Sequence, residues 1–357
     1  MGTTPLRSTA VTLALLFAAT PVAAADVDFA GKTIRVVINF TAGGPSDVFM
    51  RFFQPWLDKK VPGQPTIIVE NRTGAGGRIG ANYVYNVAKP DGLTIGFLTA
   101  AASQAMLGDS KVKFDAARFR WLGAVSQTQV LLARKELGLA GPQGLLKPAR
   151  PLVMGGTGLN GINDLNTALF LRMIGATYKH VVGYRGQAEV MQALRRNEVN
   201  LADAGITAYL PNRESWQAEG LFAPILQRGV FGADGKFHRH ATLPDLPTMA
   251  EAIASLRPAA MQTPQFGAFR ALVGTYNVQF ALVLPPGTGK DVVDTLAKAV
   301  SATFRDPEAR RKAIARFKVD YDFSDGPSAQ AYVERLFEAY NADPAIAKVV
   351  QELLKNG

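Results

Sequence analysis

The sequence is poor in the side chains that most often carry out chemistry. It contains no cysteine and only three histidines among 357 residues. The lack of cysteine excludes disulfides, thiolate nucleophiles and cysteine-bound metals. His238 and His240 could share a metal in an extended segment, but no carboxylate follows at ligand-like spacing, so we expect no metal site. The patterns G-x-S-x-G and H-E-x-x-H are also absent, so we expect a protein that is not an enzyme.

Long runs of one charge are missing too. The net charge is +10, but the lysines and arginines are scattered, and no basic stripe is interleaved with aromatic residues. We therefore expect no nucleic-acid partner. In an exported protein, the positive excess fits an anionic small ligand or an anionic surface better.

No hydrophobic run is long enough to cross a membrane. The stretch AVTLALLFAATPVA near the N-terminus is shorter than the roughly 20 residues that a span needs. Arg7 precedes it, and Ala23 and Ala25 form a small-x-small cleavage site, which predicts a secretory signal peptide at residues 1–25. A retained signal anchor is the alternative. A secreted chain without cysteine fits a periplasm better than a disulfide-rich extracellular setting.

What the sequence does contain is a repeated alternation of strand and helix patterns. Apolar runs bounded by Gly, Pro, Asn or Asp predict strands at residues 33–40, 65–71 and 93–100. Helical patterns at residues 46–57 and 78–87 lie between them, and the same alternation returns at residues 151–206. This predicts an α/β fold with two units, each a parallel sheet covered by helices.

The chain is expected to cross between these units twice. Extended apolar residues at 119–134 predict the first crossing, and residues 269–289 predict the return. Domain 1 would then comprise residues 26–124 and 279–357, and domain 2 residues 125–278. We interpret the irregular segment 229–240 as a surface excursion of domain 2.

After the return crossing the sequence is helical. Three of the four helices open on proline, one or two residues after an aspartate, which is a helix-entry signal. We expect these helices to dock on domain 1. They are predicted at residues 291–304, 307–317, 327–340 and 344–354.

The first strand ends in the turn TAGGPSD, which favours anion binding. Gly43 and Gly44 allow a sharp turn, Pro45 presets the helical backbone, and Ser46 or Asp47 can cap the helix that follows. Backbone N–H groups at the positive end of a helix dipole attract a carboxylate. A plain strand-to-helix turn without a ligand is the alternative.

Glycine turns recur after other predicted strands. They lie at residues 70–80 and 155–164, and the second contains GTGLNG, which matches the dinucleotide pattern G-x-G-x-x-G. An exported protein rarely meets free NAD, so we expect no cofactor. Tyr184, Arg185 and Asp203 follow strands whose loops should open on one sheet edge. Arg185 could hold a carboxylate in a bidentate manner; alternatively it is a surface residue and Asp203 caps a helix.

Together these motifs resemble those of a known family. KTIRVVINFTAGGPSD, VENRTGAGGRIGANYVYNVAKPDGLTIGFL, GYRGQAEVMQALRRNEVNLA, LPDLPTMAEA and LPPGTGKDVVDTLAKAV stand in the order found in substrate-binding proteins of tripartite tricarboxylate transporters, the Bug family. The resemblance covers essentially the whole mature chain. It implies a periplasmic binding protein of two α/β domains, joined by two crossing strands, that closes on a small carboxylate and serves membrane transporter subunits. We expect a monomer.

The resemblance also implies which residues bind the ligand. In the family, backbone donors of two loops of the first domain hold the carboxylate, partly through water, and turns of the second domain complete the site. The corresponding residues are Phe40, Thr41, Ala42, Gly43, Gly44, Ser46, Asp47, Thr99, Ala100, Ala101 and Ser103 in the first domain, and Thr157, Asn163, Tyr184, Arg185, Gly186 and Asp203 in the second.

The chain departs from the family pattern at three places. Asn39 replaces a usual proline, the turn after the third strand reads TAAASQA instead of carrying Gly or Ser-Gly, and segment 229–240 is longer. The expected function is an extracytoplasmic receptor for a small organic acid whose identity these departures leave open. A secreted hydrolase or transferase on the same fold is the alternative, and an adhesion protein is disfavoured because paired glycine turns are typical of ligand clefts.

Overall fold

The computed structural model describes residue 2 and residues 26–158, 161–232 and 234–356. The predicted signal peptide at residues 1–25 lies outside these residues apart from Gly2. The strands are β1 (Thr33–Ile38), β2 (Thr66–Asn71), β3 (Thr94–Thr99), β4 (Arg120–Val125), β5 (Gln129–Arg134), β6 (Leu152–Gly155), β7 (Tyr178–Val181), β8 (Leu201–Gly205), β9 (Phe222–Gln227), β10 (Val230–Phe231), β11 (Phe237–His238), β12 (Phe280–Leu284) and β13 (Phe323–Asp325).

Helices connect and cover these strands, as the sequence predicts for an α/β fold. The helices are α1 (Pro45–Lys60), α2 (Arg78–Asn86), α3 (Ala101–Leu107), α4 (Ile162–Ile174), α5 (Gln187–Arg195), α6 (Ile206–Glu219), α7 (Met249–Leu256), α8 (Pro264–Gly274), α9 (Lys290–Phe304), α10 (Pro307–Phe317), α11 (Gly326–Ala342) and α12 (Pro344–Asn356). Within the described ranges, no helix is both long and apolar enough to span a bilayer.

The strands form two larger sheets and a small hairpin. The first sheet has the order β13-β4-β12-β3-β1-β2, with β1 parallel to β2 and β3, and β12 antiparallel to β3 and β4. The second sheet has the order β7-β6-β8-β5-β9, with β6 parallel to β7 and β8, and β5 antiparallel to β8 and β9. The predicted α/β class with two units is confirmed. Both sheets are mixed because the connecting strands run antiparallel to their neighbours.

The chain passes between the sheets where β4 ends and β5 begins, at residues 126–128. It returns through α8, a 3₁₀ turn at Thr275–Val278, and β12. The first sheet is therefore built from both ends of the chain, and the second sheet from the middle.

Helix α1 shows how the sequence positions the first glycine turn. Pro45 begins the helix, and Phe49, Phe53 and Leu57 follow at four-residue spacing on one fully buried face. The Phe49 ring lies 5.5 Å from that of Phe280 on β12, which fastens α1 over the sheet. The turn that precedes α1 is thus held at the end of β1.

The last helix differs from the expectation that all C-terminal helices dock on domain 1. Helices α9 and α11 pack on β4, as expected, but α12 packs against α8. Its residues Val350 and Leu353 join the apolar cluster under the second sheet, and a Cβ at Gly267 would lie 2.7 Å from Ile346. Because α8 lies on the return path, the apolar face of α12 finds its partner there.

The irregular segment 229–240 contains the hairpin β10–β11. The rings of its two phenylalanines meet edge to face with centroids 5.2 Å apart, and the Phe237 ring lies 5.6 Å from that of Phe269 of α8. Asn277 in the return turn donates a hydrogen bond to the carbonyl of Phe231 at 2.5 Å. The excursion is therefore fastened beside the return connection.

Candidate functional site

The glycine turns of both sheets open on the edges that carry the chain crossings. On the first sheet, Phe280 at the start of β12 stands opposite both Thr99 and Val125, which end β3 and β4. On the second sheet, Gln129 at the start of β5 stands opposite Gly205, which ends β8. The carboxyl ends of the parallel strands thus lie at these two edges, which is where ligands bind in open α/β sheets.

In the first turn, part of the expected donor set is already used by the protein. The N–H of Gly44 donates to the carbonyl of Thr41 at 3.1 Å, and the N–H of Gly43 donates to the carboxylate of Asp47 at 2.9 Å. Among the described residues, no acceptor is present for the N–H groups of Ala42 and Ser46. Both N–H groups are therefore available to a ligand.

The side chain of Asp47 stabilises the conformation of this turn. Its side chain is buried and also accepts hydrogen bonds from Asn71 at 3.0 Å and Arg51 at 2.9 Å, while Asn71 donates to the carbonyl of Phe40 at 2.9 Å. Burial alone would raise the pKa of Asp47, but the hydrogen bonds from Gly43, Asn71 and Arg51 and the Arg51 charge hold it below its ordinary value. Asp47 is therefore a structural anchor, ionised at neutral pH.

Asn39, which stands where the family has proline, ties the first turn to the loop after β3. Its Oδ1 accepts from the N–H of Thr99 at 2.8 Å, and its Nδ2 donates to the carbonyls of Thr99 at 3.0 Å and Gly77 at 3.2 Å. Proline could make none of these bonds. Ala100, which follows Thr99, has a φ of +62°. The sequence TAAASQA, which lacks the family's glycine in this loop, therefore places a non-glycine residue in the left-handed region.

The second glycine turn of the first sheet approaches the first closely. Residues 74–77 all have positive φ, and a Cβ at Gly77 would lie 2.6 Å from Asn39 Nδ2 and 2.8 Å from Phe40 Cε2. Only glycine allows this contact. Nearby, Ser103 donates to the carbonyl of Ala100 at 2.9 Å, which steadies the start of α3.

On the second sheet, the turn after β6 is wrapped around an internal carboxylate. Asp164 Oδ2 accepts from the N–H groups of Thr157 at 2.8 Å and Gly158 at 3.0 Å. Burial raises the pKa of Asp164 to about 6; the hydrogen bonds from Gly158 and Thr157 oppose the rise, and the negative charge of Asp203 adds to it. This GTGLNG turn therefore carries its own anion, which does not fit a dinucleotide phosphate at the same donors.

The sequence reasoning missed Arg228, a fully buried arginine at the end of β9. Its Nη2 lies 3.1 Å from Asp203 Oδ1, and its Nη1 contacts the hydroxyl of Tyr276 and the Oδ1 of Asn163. Thr167 donates to the second oxygen of Asp203 at 2.6 Å. Burial raises the pKa of Asp203, and the Arg228 charge opposes that rise. The sequence feature that could have identified Arg228 is an arginine directly after an apolar strand, in LQRG.

Asn163 and Asp203, both predicted site residues, are thus brought together by Arg228. Tyr276 comes from the return connection and bonds to Asn163 as well as to Arg228. The cluster therefore links the start of α4 to the segment that joins the two sheets. Asp203 pairs with Arg228 rather than capping the next helix.

The residues of the turn after β7 are more exposed than those of the Arg228 cluster. The Arg185 side chain is 91% exposed and donates to Glu189 at 2.8 Å, and the Arg185 N–H donates to the other oxygen of Glu189 at 2.8 Å. Tyr184 is half-buried, with its hydroxyl 3.4 Å from Glu198, and Gly186 precedes α5 in extended backbone. Arg185 therefore lies on the rim, outside the buried cluster.

The two histidines considered as metal ligands, His238 and His240, lie within hydrogen-bonding distance of other side chains of the protein. His238 Nε2 lies 3.0 Å from Asp234, and His240 Nδ1 lies 2.8 Å from the hydroxyl of Thr242. In the part of the chain that the structure describes, no group of three or more His, Asp or Glu side chains could hold a metal ion.

A cavity of about 770 Å³ lies at the opposite edge of the first sheet, between α9 and α11. Arg120 and Leu284 stand opposite each other at that edge, at the ends of β4 and β12 remote from the crossings. Lysines on its wall already pair with Asp294 and Asp26. The glycine turns therefore remain the better candidate for an anion site.

Comparisons with known proteins identify the family of the chain. The model of a family described as "Tripartite tricarboxylate transporter family receptor" matches residues 50–348. A Cupriavidus necator protein described as "UPF0065 protein in gbd 5'region" is 27% identical over 347 residues, covering 94% of this chain and 93% of the relative. Protein BugT of Bordetella pertussis is 26% identical over 300 residues, covering 80% and 81%.

Solved structures share the fold. The R. palustris protein Rpa4515 with adipate has a TM-score of 0.67 at 22% identity, covering 90% of this chain and 98% of that one. The periplasmic binding protein BugD has a TM-score of 0.65 at 22% identity, covering 90% and 97%. MatC from Rhodopseudomonas palustris with bound malate has a TM-score of 0.60 at 20% identity, covering 90% and 98%.

Proposed function

Because the chain belongs to the tripartite tricarboxylate transporter receptor family, we propose that it is a periplasmic receptor that binds a small organic acid between its two sheets. It delivers the acid to membrane transporter subunits, needs no cofactor and acts as a monomer. The malate and adipate found with two structural relatives support a carboxylate ligand.

The observation that carries this proposal is the placement of the glycine turns. Turns from both sheets open on the edges where the chain crosses, and each turn begins a helix whose dipole favours an anion. The first-sheet turns would hold the carboxylate through the N–H groups of Ala42 and Ser46 and the loop at residues 99–103. Thr157, Asn163, Tyr184, Arg185, Gly186 and Asp203 would form the opposing wall.

The two sheets, with their helices, would act as two domains: residues 26–124 with 279–357, and residues 125–278. A ligand that touches both walls favours the closed arrangement, because only that arrangement makes both sets of contacts. The connections at residues 126–128 and Thr275–Val278 would serve as the hinge. Closure would create the surface that a membrane partner recognises.

A thermal-shift screen of the mature protein against a panel of carboxylic acids tests the proposal. A ligand that binds only the folded state at 100 times its Kd stabilises that state by about 2.7 kcal/mol, which raises the Tm measurably. We expect a rise with one chemical group of acids, and mass spectrometry should recover the acid unchanged. Conversion of the acid to a product, or no shift with any acid, would contradict the proposal. Mass measurement of the exported protein checks removal of residues 1–25.

A further inference from the structure

Two exposed apolar side chains stand at the rims of the proposed crevice. Ile79 on the first turn of α2 is 53% exposed, and Val182 directly after β7 is 40% exposed. Each follows the carboxyl end of the outermost parallel strand of its sheet, β2 for Ile79 and β7 for Val182. Isolated exposed apolar residues are common on proteins, but these two occupy matching positions.

The matching positions follow from the strand orders. From the connecting strand β12, the first sheet runs β12-β3-β1-β2, and from β5 the second runs β5-β8-β6-β7. Both rims are three strands away from the crossings, or about 14 Å at the usual spacing between strands. The proposed closure about the crossings would bring these two rims toward each other.

Aromatic side chains extend the apolar surface from both rims. The Ile79 side chain lies over the second glycine turn, since a Cβ at Gly74 would be 2.6 Å from its Cδ1. The Phe40 ring lies on the same turn, against Gly77. On the other rim, Tyr184 follows Val182 and packs on the apolar core. Each wall therefore offers a ligand an apolar surface beside its hydrogen-bonding turns.

The arginines near these turns already have acidic partners within the chain. Arg72 lies 2.8 Å from Glu70, Arg78 lies 3.2 Å from Asp109, and Arg228 lies 3.1 Å from Asp203. Arg185 lies 2.8 Å from Glu189 at the solvent-exposed rim. The turns after β1, β2, β3, β6 and β7 contain no lysine. A second ligand carboxylate enclosed here would lack an uncommitted counter-charge, which disfavours its burial.

From these observations we propose that the ligand is a monocarboxylate with an apolar aliphatic or aromatic body. Its carboxylate binds at the turns of the first sheet, and its apolar end is enclosed by Ile79 and Val182 when the crevice closes. This inference rests on the proposed receptor function and deepens it by specifying the class of acid.

Calorimetric titration of the mature protein with matched pairs of acids tests the inference. Hexanoate and adipate share six carbons and differ in one terminal carboxylate, as benzoate and terephthalate differ on an aromatic ring. In whichever pair binds more tightly, we expect the Kd of the monoacid to be at least tenfold lower than the Kd of its diacid. A dicarboxylate that binds as tightly as its monoacid would overturn this inference and leave the receptor function standing.

Variants locate the apolar end of the ligand. Ile79→Ser and Val182→Ser should each weaken monoacid binding about three- to tenfold, because each removes apolar area that the ligand covers. Val87→Ser is the matched control: Val87 is 66% exposed at the other end of α2, and its substitution should leave the Kd unchanged. Unaltered affinity in both rim variants would also overturn the inference.

A charge-adding variant tests the same point in the opposite direction. Ile79→Lys places a cation on the rim and should shift the preference toward the dicarboxylate of the pair by about tenfold. A lysine variant with an unchanged preference would contradict the proposed position of the ligand's far end. If neither pair binds, this inference fails, and the wider acid panel alone decides the receptor function.

Discussion

The turn after β1 and the turn after β6 use the same device with opposite electrostatics. In each, an aspartate at the third position of the following helix accepts N–H groups from the turn, Asp47 for α1 and Asp164 for α4. Asp47 has Arg51 beside it and a lowered pKa, whereas Asp164 has Asp203 as a neighbour and a pKa raised to about 6. Both side chains are buried. Burial is the main cause of the raised pKa of Asp164, whereas at Asp47 the hydrogen bonds and the Arg51 charge outweigh the effect of burial.

The turn after β6 should therefore depend more strongly on pH near neutrality than the turn after β1. Arg228 pairs with Asp203, the negatively charged neighbour of Asp164. Removing charges one at a time should therefore affect the two turns unequally.

The largest effect is expected from Arg228→Met. The substitution leaves Asp203 buried without its counter-charge, which typically costs about 3–5 kcal/mol in the free energy of unfolding. Urea denaturation at pH 7 measures the loss. Arg185→Met, in the exposed pair with Glu189, is the control and should leave stability unchanged within error. Equal losses in the two variants would contradict the importance of the buried pair.

The next effect concerns pH and Asp164→Asn. The pKa of Asp164 is higher in the folded state, about 6, than its ordinary value of 3.8, so its protonated form stabilises the fold at low pH. That contribution, about 3 kcal/mol, is fully present below pH 3.8 and is lost as the pH rises toward 6. Between pH 4 and pH 7, the unfolding free energy of the wild type should fall relative to that of the Asp164→Asn variant. Parallel pH profiles would refute the assignment.

Asp47→Asn should show the opposite dependence. The folded-state pKa of Asp47 is lowered, so its ionised form stabilises the fold above pH 3.8, and this contribution disappears as the pH falls through the lowered pKa. At pH 7 we expect a loss of about 1–3 kcal/mol, because hydrogen bonds to a charged group are weakened. Asp58→Asn in the same helix is the control. Burial raises the pKa of Asp58, so that variant should not be destabilised.

The smallest effect is expected at the loop after β3, which differs from the turn after β1 in lacking glycine. Ala100→Gly should stabilise the protein by about 0.5–1 kcal/mol, since it relieves the left-handed backbone at φ +62°. Ala105→Gly inside α3 should instead destabilise it by a similar amount. A Tm that falls in both variants would show that Ala100 is not strained.

The parts of the structure that local patterns specify were predictable from the sequence. Proline and aspartate at helix starts and apolar runs between glycine turns placed α1, α10, α11 and the parallel strands close to their observed bounds. Long-range contacts were not predictable in this way. Nothing in the local sequence says that α12 packs on α8, or that Arg228 meets residues that lie 25 and 65 positions away in the chain.

The candidate site was predictable to the level of its turns. That Asp47 folds back onto Gly43 instead of capping the helix depends on Arg51 and Asn71, which come from a helix turn and another strand. The environment of Arg185 likewise depends on Glu189, one helical turn ahead. The spacing of the motifs identified the segments that form the candidate site. The hydrogen-bond partners of each side chain became known only from the fold.

We propose that these turns bind the carboxylate of a small acid. The most direct test is calorimetric titration of the mature protein with the acid that gives the largest thermal shift, beside its primary amide, which has the same shape without the charge. We predict binding of one acid per chain and at least a tenfold weaker interaction with the amide. Equal affinity for the acid and the amide would contradict an anion site at the glycine turns.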